Sequence, residues 1–294
     1  MYINHNQMAS NVANTLTNHY GRLQTSTQRL SSGLRVNSAA DDAAGLAIRE
    51  LMRSDIAALN QGVRNANDAI SLIQTADGAL GIIDEKLVRM KELAEQAATG
   101  TYDSTQRLMI ESEYQAMASE ITRIANATDF NNIKLLDGNL SSEDHVGTGL
   151  TSTGKLKVHF GSANDSAEDY YYIQIGTSTA SALGVGNQAD TSAKAYTVST
   201  QAAAQQALVG INDAIVSKDK IRAHLGALQN RLENTISNLT TQAENLQAAE
   251  SRISDVDVAT EMTQFVRNQI LTQSAVAMLS QANSMQQMAM QLIG

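Results

Sequence analysis

The sequence predicts a mainly α protein with long, coiled-coil-like antiparallel helical rods, paired N- and C-terminal helices and a small central β-hairpin region. Proline is absent from the 294 residues, although average usage of ~5% would give about 15, and an interior proline costs a helix ~3 kcal/mol. Apolar residues recur at steps of three and four, the spacing of one helix face. Because aromatic residues are only 4% and tryptophan is absent, we expect thin seams between helices rather than a thick globular core.

Both ends of the chain lack charged side chains. Arg22 is the first charged residue, and residues 268–294 contain no Asp, Glu, Lys or Arg. Apolar residues with the spacing of a helical stripe or of a coiled-coil seam occur at both ends: Leu16, Leu23 and Leu30, then Val276, Leu279, Met285, Met288 and Leu292. We expect the two terminal helices to pair and then to pack on copies of themselves through these eight residues. An ordinary core helix is the alternative.

Neither end fits a membrane or secretion signal. A membrane-spanning helix needs ~20 mostly apolar residues, whereas the tail is rich in Gln, Asn and Ser. A secretory signal needs a basic start and an apolar run of ~7 to 15 residues, whereas the first 21 residues are rich in Asn and Thr. We therefore expect no contact with a membrane and no cleaved signal peptide.

The next segments predict long helices with polar caps. Gly33 and Asn37 interrupt the first helix, and Ser38, Asp41 or Asp42 caps the next one. No acid, base or metal motif accompanies the two aspartates, which favours capping over catalysis. Helices are predicted from residue 43 to about 98, a length of roughly 80 Å, then over 104–127 and 201–251, with a fresh cap and an acidic first turn within 254–262.

The centre of the chain has a different composition. Residues 138–200 hold 8 of the 18 glycines and 17 Ser or Thr residues. Leu156 and Val158 alternate with polar neighbours, and Tyr170 to Tyr172 begin a second β-rich run, so a hairpin followed by a loose loop is expected. Strand packing is favoured over a ligand platform for the tyrosines.

No chemical site is predicted. Five histidines are scattered without metal-ligand spacing, and zero cysteine excludes disulfides and thiol chemistry. Phosphate-loop, dinucleotide-binding and nucleophile-elbow motifs are absent. The net charge of -9 argues against nucleic acid. We therefore predict no enzyme activity, no catalytic residue, no cofactor and no metal.

Four blocks carry a resemblance to a known family. RLSSGLRVNSAADDAAGLAI at 29–48, DFNNIKLLDG at 129–138, RAHLGALQNRLENTISNL at 222–239 and AESRISDVDVATEM at 249–262 resemble bacterial flagellin, in a short form without large outer domains. The resemblance covers about residues 1–138 and 200–294. It implies a structural subunit that self-assembles into the flagellar filament for swimming motility.

The resemblance also implies a layered division of the chain. Residues 1–40 and 255–294 would be terminal helices forming the inner filament core. Residues 41–137 and 201–254 would form a helical rod domain, and residues 138–200 a β-hairpin and a short variable surface loop. One departure is a tail without the proline that many flagellins carry near their end.

Partners and location follow from the same resemblance. It implies a homopolymer, an export chaperone at the C-terminal segment, hook-associated and cap proteins, and an extracellular place in the flagellum after type III export. A patch for a vertebrate innate immune receptor is aligned with Arg89, Leu93 and Glu113. An exposed helical face is the alternative reading of these three residues.

Three other functions are retained as alternatives. The flagellar hook-filament junction protein shares the terminal architecture. A membrane-active amphipathic helical protein would insert its ends into lipid, although those stripes lack lysine. An enzyme hidden in residues 138–200 would need a catalytic constellation that the sequence does not supply.

Overall fold

The computed structural model describes residues 6–142, 154–163, 165, 168–186 and 196–293. The helices in this part of the chain are α1 (Gln7–Ser32), α2 (Ala43–Ala98), α3 (Ser104–Ala127), α4 (Gln201–Ser254) and α5 (Val258–Ile293). The strands are β1 (Asp129–Phe130), β2 (Ile133–Lys134), β3 (Leu156–His159) and β4 (Tyr170–Ile173). The predicted mainly α fold with a small central hairpin is confirmed.

Polar caps set the helix boundaries. Gly33 ends α1 in a left-handed conformation, with φ of 72°, which glycine adopts without a Cβ penalty. Asp42 begins α2, because its Oδ1 accepts a hydrogen bond of 2.9 Å from the Gly45 amide. Asp41 instead accepts from the amide and the hydroxyl of Ser38, and these bonds hold the pKa of Asp41 below its usual value. Asp257 accepts from the amides of Ala259 and Thr260 at the start of α5.

The two hairpins are antiparallel. β1 pairs with β2 through a turn at Asn131 and Asn132, both with positive φ. β3 pairs with β4 so that Val158 lies opposite Tyr171. The tyrosines pack on both faces of the hairpin: Tyr170 and Tyr172 meet edge to face at 5.4 Å, and the Tyr171 ring lies 3.5 Å from the guanidinium of Arg231 on α4.

The chain forms two compact units. One comprises the chain up to Ile56 and from Ala243 onward, and the other comprises Ala57–Gln242. The large apolar core lies in the second unit, where residues of α2, α3 and α4 form a continuous cluster. Its fully buried members include Ile73, Leu80, Ile83, Leu87, Met90, Ile121 and Tyr114. Burial raises the pKa of the Tyr114 hydroxyl.

Ion pairs line one side of this core. Asp77 on α2 accepts a hydrogen bond from Arg222 on α4 at 2.7 Å. Lys218 is buried, and its Nζ lies 2.6 Å from Asp84 and 2.7 Å from Asp219. The apolar pattern of the sequence did not indicate this buried lysine.

Candidate functional site

The terminal helices α1 and α5 pack against each other in antiparallel fashion. At one end, Asn6 caps α1 by accepting from the Ala9 amide and donates from its Nδ2 to the carbonyl of Ala282 at 3.2 Å. At the other end, the Arg35 amide donates to Ser254 at 2.7 Å and the Val256 amide donates to Gly33 at 3.0 Å. Backbone and cap hydrogen bonds therefore anchor the helix pair at both ends.

The contact face between these helices is built from small and polar side chains. The buried residues of this face are Ser26 on α1 and Glu261, Asn268, Thr272, Ala275 and Ala282 on α5. Small residues let two helix backbones approach closely. They bury little apolar area, however, and at ~25 cal/mol per Å² this contact contributes less than the core of the second unit.

Outside this face, α5 exposes many large apolar side chains between polar ones. Its large exposed side chains are Val258, Met262, Val266, Ile270, Val276, Met278, Met285 and Met288. At 100° per residue these side chains are spread around the surface that α1 does not cover. Contiguous exposed apolar side chains mark interaction sites, so α5 has a surface that requires further cover.

The eight residues predicted to form the packing interface differ in exposure within the subunit. Leu16, Leu23, Leu30 and Leu279 are half-buried, whereas Val276, Met285 and Met288 are exposed at 48%, 46% and 52%. Leu292 belongs to α5, but its side chain is outside the described residues. Their role as a packing interface stays a prediction. The sequence pattern did not include Ile270 and Met278, which are also large, apolar and exposed on α5.

A polar groove runs along the α1 and α5 pair, with a volume of about 950 Å³. Its lining includes His19, Arg22, Arg29, Glu261 and Arg267. The Arg29 guanidinium lies 3.7 Å from the carboxylate of Glu261 and 3.8 Å from that of Asp41. Its Nε, like Nδ1 of His19, is buried and has no hydrogen-bond partner.

The residues aligned with a receptor patch are only partly brought together. Arg89 pairs with Glu113 at 2.8 Å and with Glu92 at 2.9 Å on exposed faces of α2 and α3. Leu93 is 2% exposed and belongs to the core of the second unit. The accessible part of this patch is therefore the Arg89 and Glu113 pair.

Two further features of the described residues concern other kinds of site. They contain no group of three or more His, Cys, Asp or Glu side chains that could hold a metal ion. Nor does any helix in this part of the chain have the length and hydropathy needed to cross a membrane.

The two helical regions of this chain are similar in sequence to regions of known proteins. Residues 3–141 match the bacterial flagellin N-terminal helical region, and residues 208–293 match the bacterial flagellin C-terminal helical region. The flagellar filament 33 kDa core protein of Treponema phagedenis is 42% identical over 293 residues, and the flagellin of Bacillus subtilis strain 168 is 43% identical over 309. In both cases 100% of this chain and 100% of the relative are covered.

One solved structure is informative about the fold alone. A protein of Vibrio parahaemolyticus described as flagellar hook-associated is 14% identical, with a TM-score of 0.56 over 73% of this chain and 100% of that chain. At this level of identity the likeness extends to the arrangement of helices and not to a role.

Proposed function

The chain belongs to the bacterial flagellin family, and as a structural subunit of the flagellar filament it assembles with copies of itself; we propose that the exposed apolar surface of α5 is the surface on which neighbouring copies pack. The observation that carries this proposal is that α1 covers one face of α5, while large apolar side chains stay exposed in several other directions around the helix. Burying that surface between copies removes apolar area from water, which is the main favourable term in protein association.

The relatives favour the filament subunit over the alternatives. Those at about 40% identity over their full length include flagellar filament core proteins and flagellins, which supports a filament role over a junction protein or a membrane-active helix. Flagellin is a family of structural proteins, and its place is the extracellular filament.

The layered division of the chain is part of the proposal. We infer that residues 1–40 and 255–294 form the inner core of the filament, residues 41–137 and 201–254 a surrounding shell, and residues 138–200 the outer surface. The uncharged ends of these segments, residues 1–21 and 268–294, support this order, since a tube wall packed against copies of itself excludes unpaired charge.

Other partners are proposed for the exposed surface of α5, for the terminal helices and for the Arg89 and Glu113 pair. A chaperone that binds α5 before assembly would cover the same exposed apolar side chains. Type III export would deliver the chain to the growing end of the filament. Hook-associated and cap proteins would meet the terminal helices at the filament ends. Recognition by a vertebrate innate immune receptor would use Arg89 and Glu113, with the buried Leu93 acting through packing.

A charge on the proposed packing surface tests the function. Val276 is 48% exposed in the subunit, so Val276→Asp leaves the monomer fold intact. On assembly the carboxylate must be buried without a partner, and we expect the critical concentration for polymerisation to rise more than about 100-fold, or ~2.7 kcal/mol per subunit. Sedimentation after seeded assembly measures it.

The matched control keeps the position apolar. Val276→Ile retains the surface and should assemble near the wild-type critical concentration, and circular dichroism of both monomers should match the wild type. Normal filaments from Val276→Asp would show that this face of α5 is not covered by neighbouring copies.

A further inference from the structure

All of the charged side chains of the terminal helix pair lie in one place. Helices α1 and α5 carry Arg22, Arg29, Glu261 and Arg267 and no other charged residue. These four all line the groove along the pair. Three positive charges against one negative charge therefore concentrate in a chain whose net charge is -9.

The charged and polar groups of the groove are incompletely paired within the subunit. Arg22 and Arg267 are exposed and form no ion pair with the described residues. Arg29 reaches its two carboxylates only at 3.7 and 3.8 Å, which exceeds hydrogen-bonding distance, and its buried Nε has no partner. The buried Nδ1 of His19 has none either. The exposed guanidinium groups of Arg22 and Arg267 make this lining suited to an anion.

The remainder of the same compact unit has the opposite balance. Residues 33–56 and 243–257 carry eight carboxylates against four arginines. Four of these carboxylates cap helices or pair with arginine: Asp41, Asp42, Glu50 and Asp257. Asp55 and Glu244, in contrast, are exposed and form no ion pair with the described residues. One unit therefore presents a basic groove and, elsewhere in its sequence, unpaired carboxylates.

We propose that the basic groove receives the carboxylates of Asp55 and Glu244 from a second copy of this chain. The inference rests on the proposed function, since it specifies one contact of the assembled subunit. A contact between two different surfaces of identical subunits is heterologous, and repetition of such a contact generates an open helical polymer when the rotation between subunits does not close a ring. Complementary charges at that contact fix register and suppress wrong pairings.

Removal of the positive charges tests the contact. The double variant Arg22→Gln with Arg267→Gln changes two exposed side chains, so the monomer should keep its helicity by circular dichroism. We expect its critical concentration to rise about tenfold or more at low salt. It should also depend less on sodium chloride than the wild type does, because the screened interaction has been removed. The control Arg53→Gln removes an exposed positive charge outside the groove. Its critical concentration should equal that of the wild type or be lower.

A charge exchange identifies the partner carboxylates. Arg267→Glu should weaken assembly, and combining it with Asp55→Arg and Glu244→Arg should restore at least part of the loss, because the opposite charges then meet between copies. Wild-type assembly by the double glutamine variant overturns the proposal, and so does weakened assembly that the exchange does not restore.

These outcomes are separable from those of the Val276 experiment. If Val276→Asp blocks polymerisation while the arginine variants assemble normally, the apolar packing surface stands and the groove contact fails. If Val276→Asp assembles normally, the packing surface itself fails, whatever the arginine variants do.

Discussion

At the scale of single residues, Lys218 is the side chain whose surroundings matter most for stability of the second unit. It is 2% exposed, whereas its partners Asp84 and Asp219 are 35% and 59% exposed. Replacing both partners by Asn leaves a buried ammonium without a counter-charge, and we expect a loss of about 3 kcal/mol in the free energy of unfolding of the monomer. Urea unfolding followed by circular dichroism measures it.

Two comparisons make this prediction specific. Lys218→Met removes the buried charge and leaves the carboxylates at the surface, so its cost should stay within about 1 kcal/mol. Asp77→Asn breaks a pair whose side chains are 43% and 38% exposed, and such pairs contribute less than about 1 kcal/mol. A larger loss for Lys218→Met than for the double Asn variant would contradict the account.

Residues whose role is local were predicted from the sequence, whereas residues whose role depends on distant partners were not. Asp42 could be assigned as a cap because the group it serves, the Gly45 amide, lies three residues away. Lys218 meets Asp84, which is 134 residues distant, and on a helical wheel a lysine is read as solvent-facing. The buried ends of Arg29 and His19 are likewise a consequence of how α1 meets α5.

At the scale of elements, the packing of the β3 and β4 hairpin on α2 depends on a glycine. A Cβ at Gly62 would overlap the main-chain carbonyl of Phe160, whereas a Cβ at Gly78 would have no neighbour within 4 Å. Gly62→Ala must displace backbone, and we expect it to lower the free energy of unfolding of the monomer by about 1 to 3 kcal/mol. Urea unfolding of the purified monomer provides the measurement.

Gly78 supplies the opposite expectation on the same helix. Because alanine favours helix over glycine by ~0.8 to 1.0 kcal/mol, Gly78→Ala should raise the free energy of unfolding by about 0.5 to 1 kcal/mol. Equal effects of the two substitutions would show that helix propensity, and not the close approach of the hairpin, governs both positions.

The elements also show where periodicity is sufficient and where it fails. The bounds of α2 and α3 follow from the caps and from steps of three and four, and the structure places them at 43–98 and 104–127. For α5 the pattern selected large apolar residues such as Val276 and Met285, whereas the face against α1 consists of Ala, Thr, Asn and Glu261. A helix that is covered on several sides by separate partners has no single apolar stripe for periodicity to identify.

At the scale of the whole molecule, the two compact units differ in what stabilises them. The second unit contains the large apolar cluster, whereas the contact of α1 with α5 buries mainly small and polar side chains. Local opening costs least where few apolar contacts hold an element. In the monomer we therefore expect the terminal helices to open far more often than α2 within residues 66–97, in keeping with ends that fold fully only on assembly.

Hydrogen exchange compares the two states of the chain directly. In the monomer, amides of α1 and of residues 268–288 should exchange at least about 100-fold faster than those of Leu80 to Leu93, which corresponds to a difference of ~2.7 kcal/mol in opening free energy. In filaments the terminal amides should become protected, because neighbouring copies now cover α5, while the amides of the core change little. Equal protection of both regions in the monomer would mean that α1 and α5 are stable as a pair before any other copy binds. Assembly would then join preformed surfaces and would not complete the fold.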